Sequence, residues 1–159
     1  MERTENIALE FLKDSHLEIL TTFELIEDQK KFTTMPNELL TNADGQYSIV
    51  ITHKNKPVGF FLLHTTSRVM KYTENKHALL LTSLSINNKE QGKGYASIGM
   101  SMLTPFIKSA FPMYNEIVLA VNHKNAPAEK LYKKVGFVDT AKRIEGPLGE
   151  QLIMSLKVT

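Results

Sequence analysis

Six residues in the middle of the chain, Gln91-Gly92-Lys93-Gly94-Tyr95-Ala96, stand where an apolar run gives way to helical spacing. Glycine lacks a Cβ, so two glycines one residue apart let successive backbone N–H groups turn toward one point. A helix opening there adds its partial positive charge at the same place. The chemistry this implies is anion binding, and a pyrophosphate fits such a cradle. Gln91, Gly92, Lys93, Gly94, Tyr95, Ala96 and the following Ser97 are therefore candidate anion-binding residues. The alternative is a pair of glycines that only ease a strand-to-helix turn.

Other glycine motifs fit less well. In the dinucleotide pattern G-x-G-x-x-G, Gly92 and Gly94 match but Ser97 stands at the third glycine, and repeated βαβ units are missing. The phosphate-binding loop G-x-x-x-x-G-K-[ST] is absent, and the surroundings of Ser97 do not form the G-x-S-x-G elbow. His16, His53, His64, His77 and His123 have no metal-ligand spacing, and no metal is expected. Downstream, Asn125 precedes Ala126-Pro127 and suits a helix cap. Tyr132, beside Leu131, reads from its position alone as a core residue with a satisfied hydroxyl.

These residues need elements to hold them. Asn6 to Leu12 is a plausible first strand, and Asp14 or Ser15 can cap a helix carrying Leu17, Leu20, Phe23 or Leu25, and Ile26. A second short helix is expected after Pro36 with Leu39 and Leu40. Gln46 to Thr52 and Pro57 to His64 read as a hairpin across His53-Lys54-Asn55-Lys56. The run Ala78 to Ile86 is apolar enough for a buried strand. Gly92 to Ala110 has helical periodicity with a kink expected at Pro105. A strand over Glu116 to Val121, a helix over Ala126 to Val135 closed by Gly136, and a hairpin of Phe137 to Ile144 with Gln151 to Val158 complete the order. The fold class is a mixed, mostly antiparallel α/β sheet flanked by helices, with one parallel β-α-β crossover.

At 159 residues, with 42% apolar and 23% charged side chains, the chain fits one compact domain over 1–159. It has no cysteine, which removes disulfides, thiolate metal sites and a cysteine nucleophile. Charges interleave the apolar residues from Met1 to Asp14, so no signal-peptide core is present, and the longest apolar stretch, Val58 to Leu63, is too short for a bilayer. A soluble, cytoplasmic protein with neither membrane nor nucleic-acid partner is expected, the net charge being only +2. Of 19 basic and 17 acidic residues, seven acidic and two basic ones fall between Asp14 and Gly45, leaving 17 basic and 10 acidic elsewhere. One part of the chain is acidic and the remainder basic.

With its surroundings, the glycine segment resembles the GCN5-related N-acetyltransferase (GNAT) family. Gln91, Gly94 and Ala96 match the family pattern of Gln or Arg, two residues, Gly, one residue, then Gly or Ala. The preceding strand ends Leu84-Ser85-Ile86, like the family strand whose backbone bonds the pantetheine arm. Asn125-Ala126 and Leu131-Tyr132-Lys133-Lys134-Val135-Gly136-Phe137 resemble the second signature, an Asn before a helix ending L-Y-x-x-x-G-F. Motif detail extends from Ala78 to Val138.

The resemblance implies acetyl-CoA as co-substrate, contacted by Leu84, Ser85, Ile86, the 91–97 segment and Asn125. The central cleft would be splayed, between the strands carrying Ser83 to Ile86 and Ile117 to Val121. It also implies Tyr132 as the catalytic acid toward the departing thiolate. Reference pKa values of about 10 for a phenol and about 8.5 for a thiol make that transfer feasible. The acceptor would be a primary amine on a small, cationic molecule; a protein or peptide amine, or a non-catalytic acyl-CoA-binding module, is the alternative. Many relatives place a basic carboxylate on the central strand, but Leu81-Thr82-Ser83-Leu84-Ser85-Ile86 has none, leaving Glu24, Glu27, Glu38, a water chain or an amine that binds already neutral as options. A homodimer is compatible with all of this.

Overall fold

The computed structural model describes residues 6–20 and 44–158. The helix expected after Pro36, the positions Phe23, Leu25 and Ile26, and Glu24, Glu27 and Glu38 lie outside the described residues. Within them, β1 (Ile7–Phe11) and α1 (Asp14–Leu20) are followed by β2 (Gln46–His53), β3 (Lys56–His64) and β4 (Ala78–Ile86). Next come α2 (Tyr95–Ser101), α3 (Leu103–Ala110), β5 (Glu116–Asn122), α4 (Ala126–Lys134), β6 (Val138–Gly146) and β7 (Gly149–Lys157). The stretch read as polar between β3 and β4 contains a 3₁₀ turn, Ser67–Lys71, and another, Asn88–Glu90, leads into the glycines.

Local chemistry sets the turns. Lys54 and Asn55 both take positive φ, 52° and 68°, which suits the right-handed twist of the β2–β3 hairpin and shortens its loop to two residues. The β6–β7 hairpin is also tighter than the sequence suggests, with Gly146 paired to Gly149 across Pro147-Leu148. The long helix expected to kink at Pro105 is instead broken at Met102, whose N–H turns back to the Gly99 carbonyl at 3.1 Å. Pro105 then sits in the first turn of α3, where its missing N–H leaves no intrahelical bond unmade.

The strands form one sheet in the order β1-β2-β3-β4-β5-β7-β6, antiparallel except for β4 beside β5. On one face Ile49, Ile51, Phe61, Leu63, Leu79, Leu81, Ile117, Leu119 and Met154 pack against Tyr95, Met100, Leu103, Ile107 and Tyr132 from α2, α3 and α4. Each fully buried side chain of this size contributes about 1.5–3 kcal/mol. The opposite face carries α1 through Leu20 against Val50, Phe60 and Leu62, and the Ser67–Lys71 turn through Val69 against Ala78, Leu80 and Val118.

Two irregularities shape the middle of this sheet. The parallel pair runs only through Ala78↔Glu116, Leu79↔Ile117 and Leu80↔Val118. Beyond that point β4 stays with β3 to Gly59↔Ile86, and β5 stays with β7 to Asn122↔Gln151. The two halves therefore part from each other. In the same stretch β4 bulges, since Phe60 pairs with Ser85 but Leu62 with Thr82, and Ser83 takes a φ of 63°. The extra residue reverses the alternation: Leu79 and Leu81 face the large cluster before it, and Leu84 and Ile86 face it afterwards.

Candidate active site

The site is assembled where β4 leaves β5. Leu81 and Ser85 of β4 are buried, but Thr82, Ser83 and Leu84 between them are only half-buried, although the strand is central. Beside them β4 has no pairing with β5, that pairing ending at Leu80↔Val118. Ser85 lies in the same bulge, its hydroxyl donating to the Ser83 carbonyl at 3.2 Å. Gly59 sits opposite Ile86, and a Cβ there would lie 2.5 Å from Ile86 Cδ1 and 2.7 Å from the Ser85 carbonyl. No larger residue allows β3 to approach the end of β4 so closely. The sequence offered no signal for that constraint, because it depends on strand register.

Past the strand, Gln91 Nε2 donates to the Ile86 carbonyl at 3.1 Å. Gly92 and Gly94 follow with φ of 81° and 82°, a left-handed conformation that glycine adopts without strain. A Cβ built on Gly92 meets nothing within 4 Å, so space above the turn is open. The first hydrogen bond into α2 is Ile98 N–H to the Gly94 carbonyl, at 3.0 Å. Among the described residues, the amides of Gly92 to Ser97 have no backbone acceptor. Consecutive amides without partners, in open space, at a helix start are what a pyrophosphate requires.

The side chains around the turn divide their work. Tyr95 is buried and points away from the open side, its hydroxyl 3.0 Å from His53 Nδ1 and its ring 5.0 Å from the imidazole. It anchors α2 to the β2–β3 hairpin, so only its backbone faces the cradle. Lys93 holds Glu90 at 3.0 Å, which raises its pKa, and Lys56 lies 3.8 Å from the same carboxylate. Ala96 and Ser97 are half-buried in the first turn. Asn125 Oδ1 accepts from Ala128 N–H at 3.3 Å, the capping role read from its position. Lys133 is engaged by Glu129 at 2.6 Å.

Tyr132 is 7% exposed, with its ring edge-on to Phe137 at 5.4 Å. The reading of a core tyrosine with a satisfied hydroxyl is corrected in one respect. No hydrogen bond to its oxygen is formed among the described residues, and no buried polar side-chain atom there lacks a partner. The oxygen therefore keeps a small accessible area although the residue is buried. Burial raises the pKa of the phenol, so it is protonated at neutral pH and is a weaker acid toward a thiolate than an exposed phenol.

A pocket of about 410 Å³, lined by Phe11, Lys13, Asp14, Tyr47 and Ser48 among others, opens where β1 ends and β2 begins. That is the opposite end of the strands from Ile86 and the glycines. Among the described residues no cluster of His, Asp and Glu could hold a metal ion, and no helix is long and apolar enough to cross a membrane.

The sheet thus parts along its parallel pair beside a glycine turn whose amides are unused among the described residues. Two solved structures with the same fold are an aminoglycoside acetyltransferase, AAC(6')-Ib, in complex with coenzyme A and kanamycin, and a spermidine N-acetyltransferase from Vibrio cholerae in complex with CoA and spermine. The first is 15% identical with TM-score 0.76, covering 95% of this chain and 94% of its own. The second is 16% identical with TM-score 0.72, covering 97% and 96%. An N-acetyltransferase of Bacillus subtilis (strain 168), YbbJ, described as uncharacterized, is 46% identical over 155 residues, 95% of this chain and 97% of its own. The model of the acetyltransferase (GNAT) family matches residues 10–137. The chain belongs to the GNAT family and is an acetyl-CoA-dependent N-acetyltransferase.

Proposed function

We propose that this enzyme moves the acetyl group of acetyl-CoA to a primary amine on a small, cationic molecule, with both substrates bound at once. The observation that carries the reading is the parting of β4 from β5 beside the unused amides of Gly92 to Ser97. An extended ligand with an anionic end fits that arrangement, its pyrophosphate at the amides and its arm in the gap. Acetyl-CoA supplies the thioester. Leu84, Ser85 and Ile86 offer backbone groups along the gap, one N–H of which would polarise the acyl carbonyl. Asn125 caps α4, and Tyr132 delivers a proton toward the sulfur.

The class of acceptor rests on charge. The acidic excess between Asp14 and Gly45 contrasts with the basic remainder of the chain, a division that draws a cationic amine and an anionic cofactor to different places. The amines bound in the two similar structures, kanamycin and spermine, are small and polycationic, which supports the same class.

The test is thiol release from acetyl-CoA with polyamines, aminoglycosides, amino acids and peptides as acceptors. Turnover with polyamines or aminoglycosides at low salt, weakening as salt rises, is the expected result. A best acceptor that is anionic, or a protein N-terminus, would overturn the small-cation reading.

A further inference from the structure

An amine that attacks a thioester must lose a proton, and β4 carries no carboxylate to receive it. At the point where β4 parts from β5, a buried imidazole meets a half-buried hydroxyl. His64, the last residue of β3, is 2% exposed, and its Nε2 lies 2.7 Å from Thr82 Oγ1. Register decides which face they occupy. His64 pairs with Leu80, and Thr82 with Leu62. Leu80 packs with Val69 and Val118, and Leu62 with Leu20 and Val50. Both side chains therefore stand on the α1 face, while Tyr132 belongs to the cluster on the other face. A thioester held in the gap would meet a proton donor on one side and the Thr82 hydroxyl on the other.

We propose that Thr82 takes the proton from the attacking amine, and that His64 is the positioning residue that receives the proton Thr82 gives up. This rests on the acetyltransferase reading above. The amine nitrogen bonds to the acyl carbon and the C–S bond breaks. One N–H proton passes to Thr82 Oγ1 as the hydroxyl proton passes to His64 Nε2, the ring being in its Nδ1–H form. The thiolate takes a proton from Tyr132. His64 then returns a proton to solvent and Tyr132 regains one, so amine and thioester give amide and thiol with no net proton change.

The surroundings suit this task. Burial, with the Arg68 charge close by, lowers the His64 pKa to about 4, so the ring is neutral near pH 7 and has a nitrogen free to accept. The pair stands beside the stretch of β4 that β5 does not cover. Thr82 is half-buried there, directly before the Ser83 bulge.

The experiment measures thiol release by the purified enzyme with acetyl-CoA and with spermidine and kanamycin as acceptors, alongside calorimetric binding of acetyl-CoA. Thr82→Val keeps the shape and should lower kcat about 100-fold or more, with both KM values within about twofold, and Thr82→Ser should restore most of the rate. His64→Gln should cost about tenfold in kcat with acetyl-CoA binding intact. The proposal is overturned if Thr82→Val keeps kcat within about threefold of wild type, if Thr82→Ser is as impaired as Thr82→Val, or if only KM changes. Wild-type enzyme that releases no thiol with either amine removes this proposal together with the small-cation reading. Wild-type turnover matched by Thr82→Val removes this proposal alone.

Discussion

The side-chain amide of Gln91 donates to the carbonyl of Ile86 across 3.1 Å, tying the glycine turn to the last residue of β4. That bond sets the position of the open amides relative to the strand bordering the gap. A neutral hydrogen bond of this kind is worth about 1 kcal/mol. Gln91→Ala should therefore weaken acetyl-CoA binding about fivefold by calorimetry, with little change in acceptor KM. An unchanged Kd would leave the bond without a role in the cofactor site.

Gly94 tests the cradle more severely. Its φ of 82° costs an L-residue roughly 1–2 kcal/mol, and a β-branched one more. Gly94→Val should abolish acetyl-CoA binding, through the displaced amides and through the side chain at the phosphate's approach, while the sheet remains folded by circular dichroism. Gly92→Ala is the milder companion. Its Cβ meets nothing in the free protein, so loss of acetyl-CoA affinity beyond the backbone cost would report a ligand above the turn. A folded Gly94→Val protein that binds acetyl-CoA normally would remove the cradle.

Tyr132→Phe keeps the ring against Phe137 and removes an oxygen that has no partner among the described residues. Stability should change by less than about 0.5 kcal/mol. Turnover should fall about 100-fold while acetyl-CoA affinity holds. Because burial raises this phenol's pKa, its ionisation should impose no alkaline loss of kcat between pH 7 and 9 in the wild type. Full activity of the phenylalanine variant, measured where chemistry limits the rate, would return Tyr132 to the core.

Much of this was legible in the sequence, for physical reasons. The turn at Gly92 and Gly94 and the helix cap at Asn125 depend on neighbours in the chain, and the β2–β3 hairpin and the parallel crossover follow from local patterning. What was not legible depends on register. The Ser83 bulge exists because two residues of β3 span three of β4, and neither strand alone encodes that count. His64 read as one of five scattered histidines until β3 lay beside β4 and brought it to Thr82. Tyr95 was read with the cofactor residues by position, yet its side chain is held by His53, 42 residues earlier in the chain.

The buried titratable groups predict how stability responds to acid. His64 is held at about 4, below its ordinary 6.5, because burial disfavours the charged ring, and Arg68 adds to this. His16 is lowered as well, mainly by burial. Between pH 6.5 and 4 the unfolded chain therefore binds more protons than the folded one, and stability falls as pH falls through that window. Glu116 acts lower on the scale. Burial opposes its charge, but Ser155, Asn75 and Lys157 bond the carboxylate and hold its pKa below 4.5, so its contribution is present above that value and lost beneath it. Thermal melts from pH 7.5 to 4 should thus show Tm declining from about pH 6.5, well before carboxylates protonate. His64→Gln should flatten the decline above pH 4.5, leaving the share due to His16, and Glu116→Gln should remove only the acidic limb. A wild-type Tm that is level from pH 7 to 5 would mean that His64 is not held neutral by the fold.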